Sequence, residues 1–194
     1  MLVLVRHGRT AANAAGLLQG HLDLSLDELG ERQAAKLAAT LASSAQIVVA
    51  SPLRRARETA ARIAAERGLD VVIDDRWIEL DYGDFDGWPL GDIPRETWNR
   101  WRSDVTFAPP GGESLAALAR RVVAACVDWA DKASAGDVVV VSHVSPIKAA
   151  LTWALGVGVE ASWRTRLDPA SITRIAFGPN GPVLAAFNET GHLD

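Results

Sequence analysis

Three short, unbroken apolar runs, Leu2 to Val5, Ile47 to Ala50 and Val138 to Val141, each end abruptly at polar residues. A run of about four apolar residues without alternation is the mark of a strand buried on both faces. The segments between them carry apolar residues at helical spacing. Strands alternating with helices imply an α/β fold, a three-layer α/β/α sandwich around a mainly parallel central sheet. In such sheets ligands bind beyond the carboxyl ends of the strands. The residues directly after these runs are therefore the candidates for chemistry: Arg6-His7-Gly8, Ser51 to Arg55, and Ser142-His143.

The spacing predicts a helix over Asp27 to Ser44, with Leu29, Ala34, Leu37, Ala38 and Leu41 on one face. Ser51 is read as the N-cap of the next helix, with Pro52 at its first position, running to Arg67 and stopping at Gly68. Val71 to Ile73 is a third strand. Glycine and proline interrupt the stretch from Trp77 to Gly112, where Trp77, Trp88, Trp98 and Trp101 crowd together. It reads as a cap-like excursion of about 77–112 over one end of the sheet, with a short helix from Ile93 to Arg102. Helices come next over Glu113 to Lys132 and Pro146 to Leu155, flanking a strand within Asp137 to Ser142. Ile172 to Phe177 and Val183 to Phe187 form a hairpin around Gly178 to Gly181. No internal repeat or linker divides the chain, so residues 1–194 are read as one domain.

Composition narrows the partners. A net charge of -4 offers no global pull towards nucleic acid or an anionic membrane, so an anionic ligand must be drawn by a few local cations. No stretch reaches the roughly 18 to 20 apolar residues of a bilayer span, and Met1 to Val5 is too short for a signal-peptide core; a cytoplasmic location is the expectation. The single cysteine, Cys126, excludes an internal disulfide and sits on the apolar face of a helix, where it reads as buried filler. Oligomeric state is not legible; a homodimer is the base-rate expectation.

The chemistry gathers at the strand ends. His7 stands after a buried strand between Arg6 and Gly8, and the glycine is read as allowing backbone to approach a ligand. From Ser51 to Ala60 a helix N-terminus meets clustered arginines, a setting suited to an oxyanion. Arg54, Arg57 and Arg62 suit a solvated face, whereas Arg55, four before Thr59, is the inward candidate. His143 repeats the placement of His7 at another strand end. His21 either touches substrate or is an exposed loop histidine, and His192 reads as surface. The crowded tryptophans either line a substrate mouth or pack beneath the cap.

These residues together resemble the histidine phosphatase superfamily, the phosphoglycerate-mutase-like proteins, over essentially the whole chain. The resemblance is carried by Arg6-His7-Gly8 with Thr10 and Asn13, Gln19-Gly20 with Asp23, Leu26 and Gly30, and the Ser51 to Ala60 segment. Glu79 with Gly83, Phe85, Asp86 and Gly87, then Pro110-Gly111-Gly112-Glu113-Ser114 and Ser142-His143, complete it. The string Ser142 to Lys148 looks most like acid phosphatase and α-ribazole-phosphate phosphatase proteins.

The resemblance implies a phosphomonoesterase acting on a small phosphorylated metabolite through a covalent phosphohistidine on His7, without cofactor or metal. It implies that Arg6, Arg55 and His143 hold the three equatorial oxygens and that Asn13 is a further donor. Gln19, Gly20 and Val144 stand on the substrate side, and Glu79 is the acid and base; Asp86 is read as structural. Two departures stand out. Val144 occupies a position where most relatives have glycine, which puts any backbone contact there in doubt, and the segment from Trp88 to Pro110 is shorter than the insertion of true phosphoglycerate mutases. That brevity favours hydrolysis over a mutase, which must shelter its phosphohistidine from water. A non-catalytic phospho-ligand module is the remaining alternative, disfavoured because His7, Glu79 and His143 are all present.

Overall fold

The computed structural model describes residues 1–41 and 43–194. Six strands form one sheet in the order β3-β2-β4-β1-β5-β6: β1 (Leu2–Arg6), β2 (Ala45–Ala50), β3 (Val71–Ile73), β4 (Asp137–Ser142), β5 (Ile172–Gly178) and β6 (Gly181–Glu189). β3, β2, β4 and β1 run parallel, β5 pairs antiparallel with β1, and β6 closes the edge as a hairpin with β5. β1 and β4 are neighbours in register, with Arg6 opposite Ser142, so the residues just beyond them emerge side by side.

Both faces of the sheet are covered, which is why its central strands show no polar alternation. Leu2, Leu4, Val138 and Val140 face one core with α5 (Leu115–Ala135) and α6 (Val144–Ala154). Val3, Val5, Val139 and Val141 face another with α2 (Glu28–Leu41) and α3 (Arg54–Ala65). Each such side chain taken fully out of water contributes roughly 1.5–3 kcal/mol. A smaller cluster of Leu18, Ile93 and Trp101 holds the excursion, whose helix α4 spans Arg95–Ser103. Cys126 is fully buried, and burial pushes its thiol pKa up. Among the described residues no helix is long and apolar enough to cross a membrane.

Several boundaries differ from those expected. α2 begins at Glu28, and Ser43 and Ser44 lie in a turn; the part of the expected helix at Ala42 lies outside the described residues. α3 starts at Arg54 with Leu53 as its cap, not at Ser51. The Ser51 hydroxyl accepts from the Leu53 N–H at 3.3 Å and from an imidazole, which makes it part of the site instead of a helix cap. α6 begins at Val144, two residues before Pro146; the proline falls in the first turn, where its missing N–H costs no helical bond. A four-residue helix, α1 (Ala11–Ala14), was not anticipated. It is set by a capping box in which the Thr10 side chain accepts from the Asn13 N–H and Asn13 Oδ1 accepts from the Thr10 N–H.

Candidate active site

His7 leaves the end of β1 with its backbone pinned on both sides. Its N–H donates to Ser142 O at 3.0 Å and its carbonyl accepts from Ala170 N at 3.1 Å. Gly8 is needed here for packing. A Cβ at Gly8 would lie 2.5 Å from the carbonyl oxygen of Gly30 on α2, so the close approach is between two stretches of backbone, not between backbone and ligand. The Gly8 N–H donates to Thr59 Oγ1 on α3. Three elements thus fix the loop that carries the imidazole.

The hydrogen bonds define both histidine tautomers. A carbonyl can only accept, so His7 Nδ1, 2.7 Å from Gly8 O, carries the proton. His7 Nε2 then accepts from Arg55 Nε at 3.2 Å, and the same Nε donates to His143 Nδ1 at 3.2 Å. His143 Nε2 therefore holds a proton and donates it to Ser51 Oγ at 2.7 Å. The two rings lie 5.0 Å apart between centroids. Burial, then the charges of Arg55 and its neighbours, depress both imidazoles well below the ordinary 6.5, so both are neutral at pH 7.

Arg55, fully buried in the first turn of α3, is the hub. Its Nη1 donates to Leu22 O at 2.7 Å and its Nη2 to Gly20 O at 2.8 Å. With Nε shared by the histidines, two of its five N–H groups have no partner among the described residues. Arg6 donates Nη1 to Leu167 O at 2.6 Å, while its buried Nε has no partner among the described residues. Burial lowers the Arg6 pKa to about 10, so it stays charged at neutral pH.

Glu79 approaches from the other side. Its Oε1 accepts from Leu80 N at 2.8 Å and Ser145 N at 3.1 Å, and its Oε2 from Val144 N at 3.1 Å. The carboxylate therefore sits on the N-terminus of α6, where free N–H groups suit a negative charge. Val144 has ordinary helical backbone and needs no glycine; its N–H is given to Glu79. The Glu79 carbonyl accepts from His21 Nε2 at 3.0 Å and from Arg121 at 3.1 Å, and Arg121 is itself clamped bidentately by Glu113 at 2.8 and 2.9 Å. Gly83, at φ +54, lets the chain run against Pro110 and Gly112, where any Cβ would meet backbone at 2.1 Å.

These groups open into a cleft of about 380 Å³ lined by Arg6, His7, Asn13, Gln19, Glu79 and Val144 together with an apolar wall. Arg55 and His143 lie behind His7 and do not line it. Gln19 Oε1 accepts from Thr10 at 2.8 Å and Asn13 at 3.4 Å, leaving its Nε2 buried without a partner among the described residues. Gly20 stands back from the cleft, its carbonyl on Arg55 and its N–H on Asp86 at 2.7 Å. Asp86 also accepts from Leu22 N at 2.9 Å, a bracing role for this loop. Trp77 belongs to the core and Trp101 is buried under the cap, while Trp98 reaches the cleft. His192 is half-buried, its Nε2 3.0 Å from Ala170 O. Among the described residues no group of three or more His, Cys, Asp or Glu is arranged to hold a metal.

Ser51 as a partner of His143, and Thr59, Tyr82, Arg121 and Trp163, carry no assigned role on the amino-acid sequence alone. For Thr59 a signal existed, since it lies one helical turn after Arg55. Trp163, Leu17 and Leu90 reach the cleft only through tertiary folding.

Fold and site together define an α/β protein whose buried His7, Arg55, Glu79 and His143 gather at the carboxyl ends of its central strands. Residues 2–190 match the histidine phosphatase superfamily, branch 1, and the chain belongs to that family. It is 37% identical over 198 residues to a bifunctional protein of Mycobacterium tuberculosis, covering 99% of this chain and 54% of that protein. The chain thus spans about half the length of that relative. Phosphoserine phosphatase 1 of Hydrogenobacter thermophilus is 35% identical over 199 residues, 99% of this chain and 93% of its own. Among solved structures, mycobacterial glucosyl-3-phosphoglycerate phosphatase in complex with VO3 superposes with a TM-score of 0.89 at 30% identity, covering 97% of this chain and 99% of that one. The phosphoglycerate-mutase-like fold expected from the sequence is borne out.

Proposed function

We propose that this chain is a phosphomonoesterase that removes phosphate from a small phosphorylated metabolite through a phosphohistidine on His7. The observation that carries the reading is the tautomer of His7: Nδ1 is tied to Gly8 O at 2.7 Å, which places the lone pair on Nε2, where it accepts from Arg55 Nε at 3.2 Å until an incoming phosphoryl group takes that place. The relatives named as phosphatases support the same chemistry.

In the first step Nε2 attacks phosphorus in line, the N–P bond forms and the bond to the ester oxygen breaks. Glu79, on the wall of the cleft, enters this step as the carboxylic acid, carrying the proton taken from water in the preceding turnover, and gives that proton to the ester oxygen. In the second step the Glu79 carboxylate takes a proton from water as the water attacks phosphorus. The N–P bond breaks and inorganic phosphate leaves. Charge on the transferring group is met by Arg6 Nε, Asn13 and the Gln19 amide, which line the cleft, with Arg55 adding its positive charge from behind His7. His143 donates from Nδ1 only after gaining a proton there, which an incoming dianion favours. Phosphate release from p-nitrophenyl phosphate, insensitive to chelator and lost in His7→Ala, tests the reading; activity undiminished in that variant contradicts it.

A further inference from the structure

Resting on that phosphatase reading, we infer that the preferred substrates carry an apolar alkyl or aryl ester group without a second charge, selected by Trp98, Trp163, Leu17 and Leu90. Beyond the oxyanion groups the cleft is walled by these four with Tyr82 and Pro169. Among the described residues lining it, Arg6 is the only cation, and one side of its guanidinium is already committed to Leu167 O. A carboxylate on the leaving group would enter apolar surface beside Glu79 without a compensating charge, which costs binding energy. Lys148 does not supply one. It lines a separate small cavity of about 80 Å³ behind Val144 and Trp163, and its Nζ donates to Thr165 O at 2.6 Å.

The apolar wall is preorganised. Trp98 packs on the fully buried Trp101 with ring centroids 5.2 Å apart and meets Trp163 edge-on at 6.2 Å and 88°. Phe85, Tyr82 and Phe107 brace Trp101 in turn. At the rim, Leu90 N–H donates to Gly16 O at 3.0 Å and Leu18 N–H to Trp88 O at 2.8 Å, which stitches the loop bearing Leu17 to the one bearing Leu90. Leu90 is 44% exposed there, surface that an apolar ester group would cover. Little ordering is needed on binding, so area covered converts efficiently into affinity.

The test compares alcohols of similar leaving ability: ethyl, butyl, hexyl and 2-phenylethyl phosphate against O-phosphoserine and 3-phosphoglycerate. We expect kcat/KM to rise about fourfold per buried methylene and the phenylethyl ester to exceed both carboxylated substrates. Leu90→Ser and Trp98→Phe should shrink the phenylethyl-to-ethyl ratio severalfold. A flat alkyl series, or phosphoserine or phosphoglycerate turned over as well as the phenylethyl ester, overturns the inference. Competitive binding of the matching alkylphosphonates, measured in parallel, reads the same preference without turnover. Tighter binding with chain length but no phosphate release from any ester would leave the apolar subsite standing and overturn the phosphatase reading alone.

Discussion

Ser51 Oγ lies 2.7 Å from Nε2 of His143, on the side of the ring away from Arg55, and it accepts the proton that the Arg55 contact at Nδ1 leaves on Nε2. The hydroxyl stands directly after β2, at the edge of the sheet where the site forms. In Ser51→Ala the buried Nε2–H loses its acceptor, a cost of about 1–3 kcal/mol. We expect lower thermal stability and a fall in kcat with KM little changed, both largely restored in Ser51→Thr. Thermal melts and steady-state kinetics on the two variants check this; full activity in the alanine variant would remove Ser51 from the site.

The Nδ1 of His143 faces Arg55 as an acceptor, and the ring is neutral because burial and nearby guanidinium charge disfavour its cation. A bound dianion reverses that balance. Binding of sulfate at pH 7 should therefore take up close to one proton, read from calorimetry in buffers of different ionisation enthalpy. His143→Gln should bind more weakly with no proton uptake. Equal uptake in both proteins would place the proton elsewhere.

The same depressed pKa values set a pH dependence of stability. The unfolded chain protonates its histidines near pH 6.5, whereas folded His7 and His143 resist protonation until lower pH. Stability is therefore full above about pH 6.5 and falls as pH drops through the lower folded values. The slope approaches about 1.4 kcal/mol per pH unit for each histidine. Urea midpoints measured between pH 7.5 and 5 should fall less steeply in His143→Gln than in the parent protein. Identical slopes would show that the ring is not buried as a neutral species.

Gly8 and Gly30 pack backbone to backbone under the loop that carries His7, where a Cβ at Gly8 would lie 2.5 Å from Gly30 O. Neither partner is a flexible side chain, so the loop itself must move. Gly8→Ala should cost about 1–3 kcal/mol of stability and lower kcat by about 100-fold or more, since an error of about 1 Å in attack geometry has that effect. A fully active alanine variant would mean the loop has slack the packing does not show.

The sequence carried the sheet and its active edge because β1, β2 and β4 are apolar on both faces, and the residues after them could be read directly. His7, Arg6, Arg55, Glu79 and His143 stood at those strand ends or in motifs with ordered spacing. Local signals failed where tertiary contacts compete for the same group. Ser51 before Pro52 reads as a helix cap, yet its hydroxyl is claimed by His143. Gly8 reads as a ligand-approach glycine, yet α2 fills the space. α1 is too short for periodicity to show, although Thr10 and Asn13 carried its capping signature. Trp163, far along the chain from Trp98, gave no sign that the two would meet.

Everything depends on whether the Nε2 lone pair of His7 forms a bond to phosphorus. Rapid acid-free quenching during turnover of a radiolabelled phosphomonoester, with peptide mapping afterwards, tests this directly. The expected result is an acid-labile, base-stable phosphoryl group on the peptide containing His7, absent in His7→Ala. Label on another side chain, or steady hydrolysis with no label on protein, would contradict it.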